Sequence, residues 1–537
     1  MQGGKRMHAS GSASAVVRLL LVLITVVWLS HAGWFAFPAQ AQQREMELSL
    51  HEATAFALQG NLNIQIAGLE PRIREAQVAA EEGIFDIQLH ASATASNSRL
   101  LSTSPFFQEF INESVAQDNT QEQAIRFGLS RLNPWGGTYG VELSELHVDS
   151  TRRVPFPPDT PPERQPPLRN AYNTAELQLK VTQPLLKNFG STITNNRIVI
   201  AQNNLSISEE DFRQQITDVT AQVQRAYWDL VFRRQDLEVR RQQRALAEQR
   251  LDQIRKQVAV GTLAPIEVLQ AETEIARVEE SILIAENTLQ ATEDRLKRIM
   301  NFSLLGELAD VVLLPVDTPT YDAPTINQEE QIRQALEQRV DLVQAKLMLE
   351  NQRVTLVFSE NQALPTLDLE TSLRINGISK NFEDQFGAFD PGKRYRWDVS
   401  LQFSQPLGNR QAKNRITQSR LAIRQQMLRI KDLEEEIIRQ VRAAVRDVMT
   451  HAQRVRASRV SSQLAQKQLE AEEKKLQVGL STVFTVLDFQ EDLSVERSKE
   501  INALTDYLQA LIHLEAVKNT LLSSYNIILQ PDGPRLQ

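Results

Sequence analysis

The chain has no cysteine. That absence excludes disulfides, thiolate metal sites, cysteine nucleophiles and a lipidated N-terminal cysteine, and it suits an oxidising compartment. Histidine is sparse: His8, His31, His51, His90, His147, His451 and His513 are scattered, and none has metal-ligand spacing. There is no HExxH, Walker or Rossmann signature and no Ser/His/Asp arrangement. An enzyme has no residue to stand on, so no catalytic, cofactor-binding or metal site is expected. Beyond the N-terminus no apolar stretch approaches the ~20 residues of a spanning helix. Two long runs, Ser191 to Val260 and Asn409 to Val478, lack both glycine and proline over 70 residues each.

Those two runs organise everything else. At ~1.5 Å per residue each would make a rod of roughly 105 Å, longer than an ordinary domain is wide. Apolar residues recur at steps of three and four: Ile216, Val219, Val223, Ala226 and Leu230 in one, Ile430, Leu433, Ile437, Val441, Ala444 and Val448 in the other. Such a seam belongs to a helix packed lengthwise on other helices. Gly190 and Gly408 precede the runs, and Gly261 and Gly479 follow them, at one constant offset of 218 positions.

The N-terminus gives an address. Lys5, Arg6 and Arg18 precede the apolar run Leu19 to Leu29, and Ala39-Gln40-Ala41 is a small-x-small cleavage signal. This reads as a secretory signal peptide over residues 1–41. The run is short for a membrane anchor, and the mature chain is expected to start near Gln42. Its removal takes three basic residues and no acidic one, moving the net charge from −8 to −11. Nucleic acid is not an expected partner.

Elsewhere the period changes to two. Phe85, Ile87, Leu89, Ala91, Ala93 and Ala95 alternate with polar residues. So do Ala175, Leu177, Leu179 and Val181, then Leu367, Leu369, Leu373 and Ile375, then Tyr395, Trp397, Val399, Leu401 and Phe403. A further pair, Ile125-x-Phe127-x-Leu129 and Tyr139-x-Val141-x-Leu143, flanks the turn signal Asn133-Pro134-Trp135-Gly136-Gly137. Either a half-buried sheet or a membrane barrel fits such strands. The barrel is favoured, because the polar positions include charged residues near strand centres and each run is close to the ~10 residues that cross a bilayer at a tilt. Long loops near 97–123, 149–170 and 377–393 contrast with the short turn 133–137. Seven of the 21 prolines fall in Pro155 to Pro167, an extended loop with no assigned partner.

The chain reads as one unit written twice. The first unit covers 42–325: helix 47–82, strands 84–98, 124–132, 138–147 and 172–184, long helix 191–260, return helix 264–301 and connector 302–325. The second covers 326–537: helix 328–361, strands 366–376 and 394–405, long helix 409–478, return helix 482–524 and a C-terminal tail. Gln183-Pro184-Leu185 matches Gln405-Pro406-Leu407, and Asn196-Arg197-Ile198 matches Asn414-Arg415-Ile416. Each long helix ends in a glycine turn, Val260-Gly261-Thr262 or Val478-Gly479-Leu480-Ser481-Thr482, with glycine as the left-handed cap and Ser or Thr capping the next helix.

The duplicated helix–strand–strand–helix–tip–helix plan, the paired Gln-Pro-Leu exits and the paired Val-Gly tips followed by Val-Leu resemble the TolC family of outer-membrane efflux proteins. The resemblance covers essentially the whole mature chain. It implies a mixed α and β fold: a homotrimer whose transmembrane β-barrel continues into a long periplasmic α-helical coiled-coil barrel. It also implies outer-membrane lipid, a periplasmic adaptor (membrane fusion protein) and an inner-membrane pump, RND, ABC or similar, as partners. The function implied is a passive exit duct for tripartite efflux or type I secretion, opened at its periplasmic tip. The alternative is a periplasmic coiled-coil scaffold or adaptor without a pore. By the same resemblance Val260, Gly261, Thr262, Val478, Gly479, Leu480, Ser481 and Thr482 occupy adaptor-contacting positions, and Glu267 and Asp488 the tunnel constriction. Thr485 and Ser481 depart from the family's charged pattern, so the closing contacts are expected to differ. The strand pair around 133–137 leaves either 12 or 18 strands open for a trimer.

Overall fold

The computed structural model describes residues 45–103, 115–153, 161, 167–303, 305, 311–323, 325–381, 383–525, 527–530 and 533–536. The signal peptide reading and most of the proline-rich run lie outside these. Elements follow in chain order. Strand β1 (Glu45–Leu48) precedes helices α1 (Leu50–Gly60) and α2 (Leu62–Glu82). Strands β2 (Gln88–Thr103), β3 (Val115–Leu132), β4 (Thr138–Arg153) and β5 (Leu168–Pro184) come next. Helix α3 (Asn196–Ala259) leads to its return helix α4 (Ile266–Ile299). Then come β6 (Val312–Pro315), α5 (Gln328–Gln338), α6 (Val340–Gln362), β7 (Thr366–Ser379) and β8 (Tyr395–Ser404). Helix α7 (Arg410–Gln477), α8 (Val483–Lys518) and the pair β9 (Ile527–Gln530) and β10 (Gly533–Leu536) complete the chain.

Helices α3 and α7 have 64 and 68 residues, rods of roughly 100 Å. Neither contains a residue that breaks the backbone ladder, and each stops where a glycine turns left-handed. Gly261 has φ 81° and Gly479 φ 76°, and a Cβ at either would meet nothing within 4 Å. Glycine is needed there for its backbone freedom, not for space. The buried seam of α7, Ile437, Val441, Ala444 and Val448, packs with Ala503, Tyr507 and Leu514 of α8. On α3, Ile216, Val219, Val223, Ala226 and Leu230 face a second core with Leu48, Leu296 and Leu313. That core is a belt near the middle of the rods, where β1 pairs in parallel with β6.

Six strands form one antiparallel sheet in the order β2-β3-β4-β5-β7-β8, with β2 and β8 at its open edges. The turn at Asn133 is closed by its own side chain: Oδ1 accepts from the amides of Trp135 at 2.9 Å and Gly137 at 3.0 Å. Gly136 there has φ 89°, and its Cβ would lie 2.2 Å from the Asn188 carbonyl. Glycine is obligatory on both counts.

Several expected boundaries are corrected. The helix expected over 47–82 is a strand and two helices, broken at Asn61, whose buried side chain caps α2 and donates to the Ile299 carbonyl at 2.8 Å. The helix expected over 328–361 is broken at Arg339, whose guanidinium pairs with Asp341 and reaches Gln440 and the Val517 carbonyl. The long helix expected from 191 has a separate first turn, Ser191–Thr194, and then α3. Instead of a strand from 84 there is a short 3-10 turn, Gly83–Phe85, before β2. Strands expected over 84–98, 124–132, 138–147 and 172–184 run further from the helices, to Thr103, Val115, Arg153 and Leu168. Pairing with neighbours holds these polar ends extended where alternation has faded. The connector and the tail carry strands β6, β9 and β10.

Candidate functional site

The sheet sorts its side chains by face. Leu89, Leu129, Val141, Leu179, Leu373 and Trp397 stand in one register row across all six strands. All six are exposed, as are Ile125, Phe127, Val399, Leu401 and Phe403 nearby. An apolar face this broad, left open to solvent, is a surface built for something other than water. On β7 it runs from Leu367 to Ile375, about the ~9–11 residues that a tilted strand needs to cross a bilayer.

The adjacent row carries His90, Gly128, Glu142, Gln178, Arg374 and Arg396 in the same register. Here charge is balanced across strands. Arg374 lies 3.7 Å from both Glu176 and Asp398, Arg396 donates to Asp398 at 3.0 Å, and Lys180 stands 3.8 Å from Glu370. One face therefore suits hydrocarbon and the other suits water, as in a strand wall between lipid and an aqueous lumen.

At the far end of the rods the two tips pack on each other. Leu251, Ile254 and Ala271 from the first hairpin bury against Val483 and Leu487 from the second. Arg250 on α3 reaches Glu473 on α7 at 3.0 Å. In the first turn the Gly261 amide donates to Val258 O at 3.0 Å, and the Thr262 amide and hydroxyl both donate to Gln257 O at 2.9 Å. The second repeats this, with Leu480 N to Lys475 O at 2.9 Å, and adds a side-chain tie. Ser481 Oγ donates to Glu472 Oε1 at 2.5 Å, and Lys475 Nζ donates to Glu472 Oε2 at 2.8 Å. These bonds, Lys475's first, hold the Glu472 carboxyl below the usual glutamate range. Thr482 caps α8 by accepting from the Thr485 amide at 3.2 Å. At α4 the expected Ser or Thr cap is absent: Pro265 holds the N-cap without a side-chain bond. Val260 and, on the second tip, Val478, Leu480 and Phe484 project as exposed apolar knobs.

Glu267 sits in the first turn of α4, where the helix dipole favours a carboxylate. Its Oε2 is buried without a hydrogen-bond partner among the described residues. Asp488 is exposed on α8, and its charge bears on Glu274. Burial, then Glu491 and Asp488, push the Glu274 carboxyl up, while Arg277 opposes them at 3.8 Å. Glu274 and Glu491 had no signal in the sequence, since each looks like any wetted helical acid until α4 and α8 are brought together. Among the described residues no cluster of His, Cys, Asp or Glu is placed to hold a metal ion, and no helix is long and apolar enough to cross a membrane.

The outer membrane efflux protein family model matches residues 164–301 and 331–520. The outer membrane protein TolC of Escherichia coli strain K12 is 24% identical over 277 residues, covering 50% of this chain and 55% of that one. TolC of Vibrio cholerae is 23% identical over 303 residues, covering 56% and 67%. The chain thus aligns with little more than half the length of the first of these relatives. In fold it is similar to the Campylobacter jejuni CmeC outer membrane channel, with a TM-score of 0.59 at 13% identity over 88% of this chain and 86% of that one.

Proposed function

Because the chain belongs to the outer membrane efflux protein family, matched over more than half its length, we propose that three copies assemble into one passive export duct. Family members reside in the outer membrane and reach into the periplasm. On this reading each copy gives six strands to a closed barrel of 18 and its rods to a helical tunnel below. The observation that carries the reading is the sheet itself, with an apolar row across all six strands on one face and cross-strand ion pairs on the opposite face. A single six-stranded sheet is too narrow to enclose a channel, and its β2 and β8 edges are open, so closure requires further copies.

The duct carries no energy source of its own. An adaptor and an inner-membrane pump supply it, docking on Val260-Gly261-Thr262 and Val478-Gly479-Leu480-Ser481-Thr482. Glu267, Asp488 and, next to it, Glu274 line the narrow end, where rings of carboxylate favour cations and slow anions. The two halves, 42–325 and 326–537, act as repeated units that alternate around the tunnel. Opening then spreads the tip core of Leu251, Ile254, Val483 and Leu487.

Single-channel recording in planar bilayers tests this. The expected result is discrete, cation-preferring conductance that rises when Glu267 and Asp488 are replaced by Gln and Asn. A reconstituted trimer that stays silent in both forms would overturn the duct.

A further inference from the structure

One charge interrupts the apolar face of the sheet. On the helix side of the row from Leu89 to Trp397, the next row on that face reads Arg131, Tyr139, Val181, Thr371 and Val399. On its other side the next row reads Ala91, Phe127, Leu143, Leu177, Ile375 and Tyr395. Across these three rows Arg131 is the only charged side chain. Its Nε donates to the Phe85 carbonyl at 2.9 Å. Among the described residues no carboxylate pairs with it, and its two terminal nitrogens have no acceptor. The basic residues of the opposite face differ: Lys180, Arg374 and Arg396 each have a carboxylate partner. An arginine beside hydrocarbon is costly until something neutralises it.

Its depth says what that is. Arg131 stands two residues, about 7 Å, from the turn at Asn133. That turn is fixed to the joint between sheet and helices, where the Gly190 amide donates to the Trp135 carbonyl at 3.1 Å. Trp135 is 62% exposed there, an aromatic of the kind that settles at the membrane–water boundary. A long side chain at this level reaches headgroup phosphate while its stem stays among acyl chains. Beside Arg131 an open groove of about 440 Å³ is lined by Ile87, Leu129, Tyr139, Val141, Leu179 and Val181. Charge below the joint has the same sign. From Arg410 to Lys431, α7 has seven basic residues and no acidic one, and Arg410, Lys413 and Arg415 are exposed. Basic residues in a first turn oppose the helix dipole, but they draw anionic headgroups.

We propose that this groove binds one anionic phospholipid of the leaflet nearest the helices, with an acyl chain along the groove and the phosphate on the two terminal nitrogens of Arg131. A guanidinium fork fits phosphate oxygens two at a time. A zwitterionic lipid fits less well, because its own ammonium already balances its phosphate and no carboxylate stands here to receive that ammonium. The site rests on the reading that the apolar face meets lipid, and it adds which lipid and where.

Native mass spectrometry of the full mature protein with dioleoylphosphatidylglycerol or dioleoylphosphatidylcholine tests the site. The glycerol lipid should survive detergent removal at one per chain, and the choline lipid should leave. Arg131→Gln should weaken phosphatidylglycerol retention about tenfold, the worth of one charged hydrogen-bonded contact. Arg131→Lys, which keeps the charge and loses the fork, should fall between. Equal retention of the two lipids, or undiminished retention by Arg131→Gln, overturns the site. The unmodified protein in vesicles gives a second reading. Phosphatidylglycerol with a diazirine on its acyl chain should label 129–141 and 177–181 more than 395–403 on the same face. Even labelling overturns the groove, and labelling abolished by inorganic phosphate overturns a lipid as the occupant. Protein that does not float with the vesicles overturns the lipid-facing reading itself, and the site with it.

Discussion

Ser481 Oγ donates to Glu472 Oε1 at 2.5 Å, so the residue just beyond the second glycine turn is tied to the helix that enters it. At the first tip the matching tie ends on backbone rather than on a side chain: Thr262 Oγ1 donates to the Gln257 carbonyl at 2.9 Å. Ser481→Ala should leave the helices intact and speed amide exchange at 479–482 about fivefold, the effect of one ordinary hydrogen bond. The Glu472 carboxyl is held below its ordinary 4.5 by Lys475 and Ser481. A depressed carboxylate stabilises above its unfolded value and loses that contribution as pH falls through the folded one. Protection of the second tip should therefore hold from pH 7 to about 4.5 and fade below. Exchange mass spectrometry across that range, with equal rates in wild type and Glu472→Ala at pH 7, would refute the tie.

Tyr227 is fully buried in the belt. Its hydroxyl lies 2.6 Å from Asp317 Oδ2 and 3.0 Å from the Leu48 carbonyl. Asp317 Oδ2 also accepts from the Leu50 amide at 2.7 Å. One hydroxyl thereby joins the long helix, the connector and the N-terminal strand. Tyr227→Phe should cost about 1–3 kcal/mol, because it leaves buried partners unsatisfied. Burial first, then Asp317, raise the phenol above its ordinary 10. A raised acid group favours the folded state below the unfolded value and destabilises it as pH rises past that point. Thermal melts should therefore fall above pH 10 in wild type and less steeply in Tyr227→Phe. Parallel slopes would refute the assignment.

The sequence disclosed what is periodic over long distances. α3 and α7 announced themselves through unbroken three-four spacing, and β8 through Tyr395, Trp397, Val399, Leu401 and Phe403. It concealed what depends on one tertiary contact. Asn61 caps the second helix through its neighbours' amides and is fixed by the Ile299 carbonyl, a distant contact that the local Gly60-Asn61 signal does not reveal. The segment Gln117 to Gln123 is polar on both faces and shows no alternation, yet it is strand because β2 and β4 flank it. At the tips, the expectation for Glu267 and Asp488 rests on family resemblance alone. Glu274 carried no such signal, because its distinction is an environment made by α8.

The two faces of the sheet should respond oppositely to charge. Leu401→Arg, on the apolar face, should cost about 2–4 kcal/mol of folding stability in lipid vesicles. Arg374→Ser, on the other face, removes links to Glu176 and Asp398. It should cost less and make the pore more cation-preferring. Urea titrations in vesicles and reversal potentials measure the two effects. Equal destabilisation by both substitutions would argue against lipid on one face and water on the other.

Glu274 offers the sharpest reading of the tip. Its side chain is only 13% exposed, and Arg277 stands too far off to neutralise it fully. Burial and the neighbouring Glu491 and Asp488 raise its carboxyl above the ordinary 4.5. The folded state thus holds this proton more tightly than the unfolded chain does. Stability from this group is present below its unfolded value and declines as pH rises through the folded one. At pH 7 the ionised carboxylate is a net strain on the junction between α4 and α8. Glu274→Gln removes it and should melt higher than wild type at pH 7, with the gap closing towards pH 4. If the junction is what holds the narrow end shut, the same substitution should lower, not raise, the frequency of spontaneous opening at pH 7. A variant that melts higher yet opens more often would separate this acid from the closing contact.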